Sequence, residues 1–507
     1  MHTHKSDPLR LCVYFFLCSI LLFCLQSCGP KGAEFGKSIS SATGNKIYKN
    51  LDAQEFSKRF QEVLKSTSGL RNPKFMQSFY ASHNYEPLLC EKFLANDALA
   101  TSIQTLSGAS SHGIDPKIFH IDALRAKLEN VTTKEKIQNV DDAYQALIEL
   151  EISAASSLTD YSNAMQFGLV SPRRIFAQYY TPVKRPDSIN FKKVFETTDL
   201  KSFLDSVQPK SKSYLALQSA LSAELSGKHG KDTERARTLM VNLERLRWSN
   251  RPNEDKYVWV NIPGFFLQVI EKNHVDMEMK VCVGEGRDLT KQADLTEYDE
   301  NDLNKDRPFS RETPQLKSLI HSVQVNPVWN IPQSIANKEI TKYAAADRYY
   351  LSNNNIDVYY KGKLVDNPET INWSGGAAGY AFKQRPGDDN SLGKIKFLFD
   401  NQSSVYLHDT PAKAAFAKAN RAISHGCVRV EQPQQLAHAL FGDGQKYERI
   451  KTGMASADPK AEDIALPNKV PVYLDYLTSW ADEDGKIHFA KDVYGLDAVL
   501  FTYLNKV

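Results

Sequence analysis

The stretch Tyr257-Val258-Trp259-Val260-Asn261-Ile262 marks the position at which the character of this sequence changes. Aromatic and β-branched residues dominate it, and Pro263-Gly264 separates it from a second stretch of the same kind at 266–270. Two such stretches around a Pro-Gly turn are typical of a β-hairpin. Further segments of this type occur at 278–283, 318–325, 395–399 and 404–408. We therefore predict a mainly β domain over residues 251–507.

The residues before this stretch have a helical character. Apolar side chains recur at helical spacing in the segment Phe56, Phe60, Val63 and Leu64, and such a stripe predicts a helix with one buried face. Similar segments follow, separated by short Gly- and Pro-containing breaks, so we predict an all-helical domain over residues 51–250. The predicted fold class is α+β: a helical scaffold domain and then a mainly β domain, whose sheet is interrupted by an insertion at about 331–390.

Composition and charge exclude several classes of function. Hydrophobic residues make up 42% of the 507 residues, charged residues make up 24%, and the net charge is only +3. A basic stripe would be expected of a nucleic-acid-binding protein, so we expect no nucleic-acid partner. The sequence has no Cys-x-x-Cys pair and no His-rich spacing typical of a zinc site. We therefore expect neither a metal ion nor a cofactor.

The N-terminus has the pattern of a bacterial export signal. Lys5 and Arg10 precede an apolar run over residues 11–25, which is followed by Ser27-Cys28. This resembles a lipobox, so residues 1–28 are predicted to be a lipoprotein signal peptide, with Cys28 as the lipid anchor and residues 29–50 as a flexible tether. An uncleaved anchor helix is the alternative. Either way, we expect a membrane-attached protein of the cell envelope that faces the periplasm.

Cys427 and His408 are the candidate catalytic pair. Cys427 follows Gly426, and His408 comes from an earlier strand-like segment. A cysteine after glycine, with a histidine delivered by another segment, is a candidate nucleophile with its general base. Alternation along the strand puts Tyr406 and His408 on one face of their segment. If residues 427–430 are also extended, Cys427 faces the same cleft.

Neighbouring residues suit the chemistry of such a pair. Arg429 shares the face of Cys427, and a cationic neighbour lowers the pKa of a thiol. Gly426 lets the backbone approach a substrate closely. The backbone N–H groups at Cys427 and its neighbours are candidate donors to an oxyanion.

The run Ser424-His425-Gly426-Cys427-Val428-Arg429-Val430 resembles the signature of the bacterial L,D-transpeptidases, the YkuD-type enzymes. The run Leu407-His408-Asp409-Thr410-Pro411 is similar to the histidine segment of their large, capped Gram-negative branch. Other similarities to this branch lie at 242–248, 326–332, 392–397 and 471–474, with 84–88 and 113–116 in the helical half. The resemblance implies a helical scaffold domain, a YkuD-like catalytic domain, and a capping subdomain at about 331–390.

The resemblance also implies a reaction. Cys427 would attack the carbonyl of the third residue of a peptidoglycan stem tetrapeptide, and D-Ala would leave, protonated by His408. The amine of a second stem would resolve the thioester and form a 3→3 cross-link. The expected partners are the donor and acceptor stems, the membrane through the lipid at Cys28, and, as candidates, proteins of cell-wall synthesis. Acylation of Cys427 by carbapenems is expected on the same basis.

Five further residues are candidates for contact with the substrate: Tyr406, Arg429, His425, Ser424 and Trp329. For four of them another role remains open. Tyr406 would alternatively order His408, and Arg429 would brace the active-site loop. His425 would be a second proton donor or would have a structural or cleft-lining role, and Trp329 would pack in a core.

Two other functions remain open. An L,D-carboxypeptidase would hydrolyse the thioester on the same stem peptides, because water access and cleft shape decide the acceptor. A non-catalytic envelope scaffold that binds peptidoglycan is the alternative outside the enzymes. A papain-like protease is disfavoured, since such enzymes usually place Cys before His, and this chain has the reverse order.

Overall fold

The computed structural model describes residues 35–227, 233–248, 254–288, 296–298, 304–306 and 311–506. The predicted signal peptide and the lipid anchor Cys28 lie outside these residues. Within them, no helix has both the length and the apolar composition that crossing a membrane requires. The chain forms two compact units. The first contains the residues up to Ser110, Asp115–Gln166 and Pro186–Gln208, and the second contains Ser111–Ile114, Phe167–Arg185 and the residues from Pro209 onward.

The first unit is helical. Its α-helices are α1 Lys37–Thr43, α2 Ala53–Ser66, α3 Pro73–Ala81, α4 Leu88–Phe93, α5 Ala98–Ser107, α6 Ile121–Thr132, α7 Val140–Phe167, α9 Ser188–Glu196 and α10 Leu200–Ser206. In α2 the carboxylate of Asp52 accepts hydrogen bonds from the first-turn N–H groups of Gln54 and Glu55, both at 2.9 Å. This cap starts the helix, whose Phe56, Phe60 and Leu64 are buried.

The tether prediction for residues 29–50 is wrong over the second half of that segment. Helix α1 and a 3₁₀ helix at Lys46–Asn50 occupy it. Ile39 and Tyr48 are fully buried, and the Tyr48 hydroxyl donates a hydrogen bond to the Val131 carbonyl at 3.0 Å. Apolar side chains spaced among Gly, Ser and Lys are enough to dock this segment, although its average composition is that of a linker.

The second unit carries the strands: β1 Lys256–Asn261, β2 Phe266–Glu271, β3 His274–Gly284, β4 Thr296–Tyr298, β5 Asn304–Asp306, β6 Leu316–Val325, β7 Trp329–Ile331, β8 Ile356–Tyr360, β9 Lys363–Leu364, β10 Tyr380–Gln384, β11 Ile395–Phe399, β12 Leu407–His408, β13 Ala422–Ser424, β14 Val428–Val430, β15 Glu462–Asp475, β16 Ser479–Ala481 and β17 Ile487–Phe489. Its helices are α8 Pro172–Ile175, α11 Lys212–Leu225, α12 Glu234–Arg247, α13 Gln333–Ile335, α14 Thr341–Ala346, α15 Tyr350–Asn353, α16 Pro433–Phe441, α17 Gln445–Met454 and α18 Leu496–Leu504. The α+β fold class is therefore confirmed.

In the second unit, eight strands of a nine-stranded sheet close into a ring, and within the described residues β13 pairs only with β3. The strand order is β13-β3-β14-β12-β11-β6-β15-β1-β2, and β2 also pairs with β3. Closure leaves one face of each strand inside the ring and one outside. Val258 and Val260 of β1 belong to the inner core, whereas Trp259 of the same strand packs outside against residues of α11 and α12. These two helices thus pack within the second unit, although they precede residue 250; the domain limits themselves remain a prediction.

The insertion between β6 and β11 is a small subdomain with its own core. β6 and β11 are antiparallel neighbours in the main sheet, while the residues between them form a second sheet in the order β7-β10-β8-β9. Ile340, Val358, Trp373 and Phe382 are buried in its separate hydrophobic cluster. The insertion predicted at about 331–390 falls on this segment. Because β6 and β11 pair directly, the ring does not depend on it.

Candidate active site

The turn before Cys427 is shaped by one serine and one glycine. The Ser424 hydroxyl donates to the Cys427 carbonyl at 2.6 Å and accepts from the Gly426 N–H at 3.2 Å. Gly426 has φ of +116°, in the region that strains other residues. The Thr313 hydroxyl donates to the Gly426 carbonyl at 2.7 Å. The buried Ser424 side chain therefore fixes the conformation of the turn. The Cys427 N–H has no hydrogen-bond partner among the described residues.

Strand pairing puts Cys427 and His408 on one face. β12 and β14 are parallel, with Leu407 opposite Val428 and His408 opposite Arg429. Leu407 and Val428 belong to the inner core, so His408 and Arg429 point to the outer face. Cys427 precedes Val428 and shares the outer face with Arg429. Cys427 directly precedes β14 and lies two residues before Arg429, the register partner of His408 on the adjacent strand.

Tyr406 contacts both members of this pair. Its ring centroid lies 5.7 Å from that of His408, in an edge-on arrangement. Its backbone and its side chain both hydrogen-bond to Cys427, and both bonds favour the thiolate. The Val428 N–H donates to the Tyr406 carbonyl at 3.1 Å, which fixes the two segments side by side. Tyr406 therefore stabilises negative charge on the sulfur.

Burial nevertheless keeps the resting sulfur protonated. Burial raises the pKa of Cys427 above its usual value, and it outweighs the hydrogen bonds from Tyr406 and the charges of Arg429 and Lys396, which lower that pKa. The favourable neighbours reduce the cost of forming a thiolate but do not form it unaided. The thiol must therefore lose its proton during the reaction.

His408 is built to accept that proton. Its Nδ1 lies 2.5 Å from the Asp409 carbonyl oxygen, which can only accept, so Nδ1 carries the hydrogen and Nε2 is the free base. Burial first, and the charge of Arg429 second, lower the pKa of His408 to about 4. The resting thiol and the resting imidazole are thus both neutral, not an ion pair.

Lys396 is a site residue that the sequence analysis did not single out. It lies opposite His408 in the pairing of β11 with β12, and its Nζ is 5.5 Å from the ring centroid of Tyr406. Burial lowers the pKa of Lys396, against the charges of Asp463 and Cys427, which raise it. The sequence signal for Lys396 was a lysine within an otherwise apolar strand. Finding its partner required the strand register.

Arg429 provides a second cation on this face. Its Nε is buried and has no hydrogen-bond partner among the described residues. An unpaired buried donor is costly, which makes a negatively charged or carbonyl group of a substrate a natural partner. Lys396 of β11 and Arg429 of β14 are the register partners of His408 on its two neighbouring strands.

His425 connects the active-site turn to the insertion. Its Nε2 lies 2.7 Å from Oε1 of Glu339, which belongs to the π-helical segment Ala336–Ile340. The same carboxylate oxygen accepts from Nη2 of Arg311 at 3.0 Å, and Nη1 of Arg311 donates to Glu285 at 2.7 Å. The network places the imidazole of His425 against the insertion.

The remaining sequence candidates lie elsewhere. Trp329 is in β7 and packs against the core of the insertion. Cys90 and Cys282 are buried, whereas Cys427 is partly exposed, which leaves Cys427 as the accessible thiol of the described chain. Within the described residues, no group of three or more His, Cys, Asp and Glu side chains is placed to hold a metal ion.

Comparisons with known proteins match both regions of the chain. The family model of the L,D-transpeptidase catalytic domain, YkuD, matches residues 255–441, and the model of a scaffold domain matches residues 74–221. A Haemophilus influenzae protein that is provisionally named an L,D-transpeptidase is 30% identical over 326 residues, or 63% of this chain. The chain spans 60% of that protein's length. The family resemblance of the sequence is therefore confirmed.

Replacing Tyr406 with Phe should make Cys427 harder to ionise. The change removes a hydroxyl donor to the sulfur, so the alkylation rate should reach its midpoint at a pH about one unit higher. The measurement is iodoacetamide alkylation across pH, with Cys427 identified by peptide mass. Tyr359→Phe, in the insertion, is the matched control and should leave the profile unchanged. An unshifted profile for Tyr406→Phe would contradict the role assigned to its hydroxyl.

His408 should also make stability depend on pH. Its pKa is about 4 in the folded protein and about 6.5 when unfolded, so between these values the unfolded chain binds more protons. Its contribution is complete above pH 6.5 and is lost as the pH falls toward 4. The urea midpoint should therefore fall more steeply over this range for the wild type than for His408→Gln.

Tryptophan fluorescence is suited to this measurement. All five tryptophans lie in the second unit, so the signal follows the unit that contains the site. The pKa of His112 is also lowered to about 4, by burial and then by Arg247. Its contribution is common to both proteins and cancels in the comparison. Equal slopes for the wild type and the variant would show that His408 is not held neutral.

Proposed function

Because residues 255–441 belong to the L,D-transpeptidase catalytic-domain family, we propose that the protein forms 3→3 cross-links between peptidoglycan stem peptides through a thioester on Cys427. The observation that carries the proposal is the outer face of β12 and β14. Cys427, a partly exposed residue whose sulfur is largely buried, shares a face there with an imidazole whose Nε2 is free, and two cations flank them. A cysteine with a histidine base and nearby cations is the set of groups that covalent acyl transfer uses, rather than metal-assisted hydrolysis.

The acylation step uses the neutral resting pair directly. Nε2 of His408 takes the Sγ proton as the sulfur attacks the carbonyl carbon at the third residue of the donor stem. The tetrahedral intermediate then collapses: the C–N bond to the terminal D-Ala breaks, and His408 returns the proton to the leaving amine. The products are a thioester, free D-Ala and a neutral imidazole, ready for the second half of the reaction.

The donors around the sulfur support the charged intermediate. The N–H of Cys427 is without a partner among the described residues, while the N–H of Gly426 is engaged by Ser424. The oxyanion therefore has the Cys427 N–H as its backbone donor. Arg429 Nε and the Lys396 ammonium suit a carboxylate of the stem peptide, since both groups lie on the same face as the thiol.

Deacylation completes the balance without any added reactant. The amine of an acceptor stem attacks the thioester carbonyl, gives a proton to His408 and forms the new amide, and Cys427 leaves as a thiol after taking that proton back. One amide bond is broken and one is formed. The insertion would favour transfer to the amine over hydrolysis by excluding water from the thioester. The hydrogen bond between His425 and Glu339, which joins the insertion to the active-site turn, supports this role.

The site of action is proposed from the substrate and the N-terminus together. Peptidoglycan lies outside the cytoplasmic membrane, and a lipid at Cys28 would restrain the enzyme near it, facing the periplasm. Contacts with other proteins of cell-wall synthesis belong to this proposal. Labelling with radioactive palmitate, with Cys28→Ala as the control, tests the anchor separately from the catalytic chemistry.

Purified disaccharide-tetrapeptides and a carbapenem test the reaction. The wild type should release D-Ala and form cross-linked dimers. Cys427→Ala should lose this activity by at least about 10³-fold, and His408→Gln by about 10²-fold to 10⁴-fold. Intact mass after meropenem should show one adduct, absent in Cys427→Ala and retained in Cys282→Ala.

The products separate the alternatives. Trimmed tripeptides without dimers would replace the proposal with an L,D-carboxypeptidase. No turnover together with no adduct would leave a peptidoglycan-binding scaffold.

Glu339→Gln should change the fate of the thioester more than its formation. The substitution keeps the shape of the side chain but removes the charge that pairs with His425 and Arg311. The insertion should close less completely, so the ratio of dimer to hydrolysed tripeptide should fall about two- to tenfold. The D-Ala release rate should change less. Glu369→Gln, also in the insertion, is the control, and an equal ratio in all three proteins would rule out this role.

A further inference from the structure

An aromatic cavity lies in the second unit, outside the strand ring. Its volume is about 350 Å³. It is bounded by β1, β2 and β15 on one side and by residues of α12 and β16 on the other. Seven of its lining residues are aromatic: Tyr179, Trp248, Tyr257, Trp259, Tyr473, Tyr476 and Trp480. Its size lies within the range of small-molecule sites.

The cavity is separate from the candidate active site. Its lining includes none of Cys427, His408, Tyr406 and Arg429. In the ring, β12 and β14 are neighbours of each other, and neither pairs with β1, β2 or β15. The reaction proposed above therefore leaves the cavity unexplained.

An unsatisfied buried guanidinium lines this cavity. Arg245 is only 6% exposed, and its Nη1 donates to Oδ1 of Asp497 at 2.5 Å. Its Nε and Nη2 have no hydrogen-bond partner among the described residues. Leaving these two buried donor nitrogens unpaired costs stability, so the structure retains donors that an acceptor group of a ligand would satisfy.

The rim of the cavity carries neutral, acidic and basic polar groups. Gln268, Asn273, Lys212 and Glu483 are partly or fully exposed there. Nε1 of Trp259 donates to Oδ2 of Asp475 at 3.0 Å, which holds a carboxylate at the wall. The cavity thus combines flat apolar surfaces with both donors and acceptors.

This combination fits a saccharide better than other ligands. A pyranose ring has an apolar C–H face that suits an aromatic side chain and a rim of hydroxyls that need donors and acceptors. A lipid chain would leave the polar groups unpaired. A phosphate would face the carboxylates of Asp475, Asp482 and Glu483. Against them, Lys212 is the one exposed cation among the described residues of the lining. The unpaired N–H groups of Arg245 suit a carbonyl oxygen, such as that of an N-acetyl substituent.

We propose that this cavity binds an N-acetylhexosamine residue of a glycan strand. The choice of glycan rests on the proposed function, because the stem peptides of that reaction are attached to such strands. Binding the glycan on one part of the ring while the thiol acts on another would hold the polymer on the enzyme between stems. The bound sugar would contribute to affinity for the polymer and not to the chemistry at Cys427.

Binding is tested in Cys427→Ala protein, so that turnover plays no part. The probe is an N-acetylglucosamine tetramer, followed by calorimetry. Trp480→Ala and Gln268→Ala should each weaken binding, with at least a tenfold loss for Trp480→Ala. Phe489→Ala is the matched control, because Phe489 is an aromatic residue of the adjacent strand β17 that does not line the cavity. Thermal melting checks that each variant is folded.

Two results would overturn the proposal: no saturable binding by the unaltered cavity, or equal affinity after Trp480→Ala. A kinetic measurement separates this proposal from the proposed function. With active enzyme, Trp480→Ala should raise KM for intact glycan strands but leave turnover of sugar-free stem peptides unchanged. Sugar binding that persists while no stem peptide is turned over would refute the reaction and leave the cavity assignment standing.

Discussion

The parallel pairing of β12 with β14 is the constraint on which the candidate site depends. A strand exposes alternate side chains to opposite faces, so a slip of one residue would turn His408 into the core and bring Leu407 to the surface. Both strands are very short. Their register is held from outside, by β11 on one side and β3 on the other. Closure of the ring therefore determines whether thiol and imidazole share a face at all.

Burial dominates the electrostatics of that face. It raises the pKa of Cys427 despite two cations and a hydroxyl donor, and it lowers that of His408 to about 4. A preformed ion pair would react with any small electrophile that entered. A neutral pair requires the proton to move as the carbon–sulfur bond forms, so reactivity depends on a bound substrate. Arg429 and Lys396 then act on charge that develops in the reaction, where fixed positive groups contribute most.

The sequence predicted those features that alternation and residue type determine. The helical and β regions followed from periodicity, and the shared face of Tyr406 and His408 followed from the pattern of residues 405–408. Lys396 and Glu339 were not found, because their roles depend on strand register and on contacts between distant segments. The tether was misjudged because composition averages over a segment, while docking depends on a few apolar residues such as Ile39 and Tyr48. Predicting that Cys427 and His408 are both neutral would have required knowing how deeply each is buried, and no local sequence pattern gives that.

The position of the insertion lets the ring form independently of the segment inserted in it. It leaves the ring after β6 and returns at β11, and these strands pair with each other. Its own core therefore lets it shift as a unit without breaking the ladder that carries Lys396. A hydrogen bond between two partly exposed side chains, His425 and Glu339, connects it to the turn. Such a contact is worth roughly 1 kcal/mol. In the proposed reaction, it is therefore weak enough to break when an acceptor stem binds.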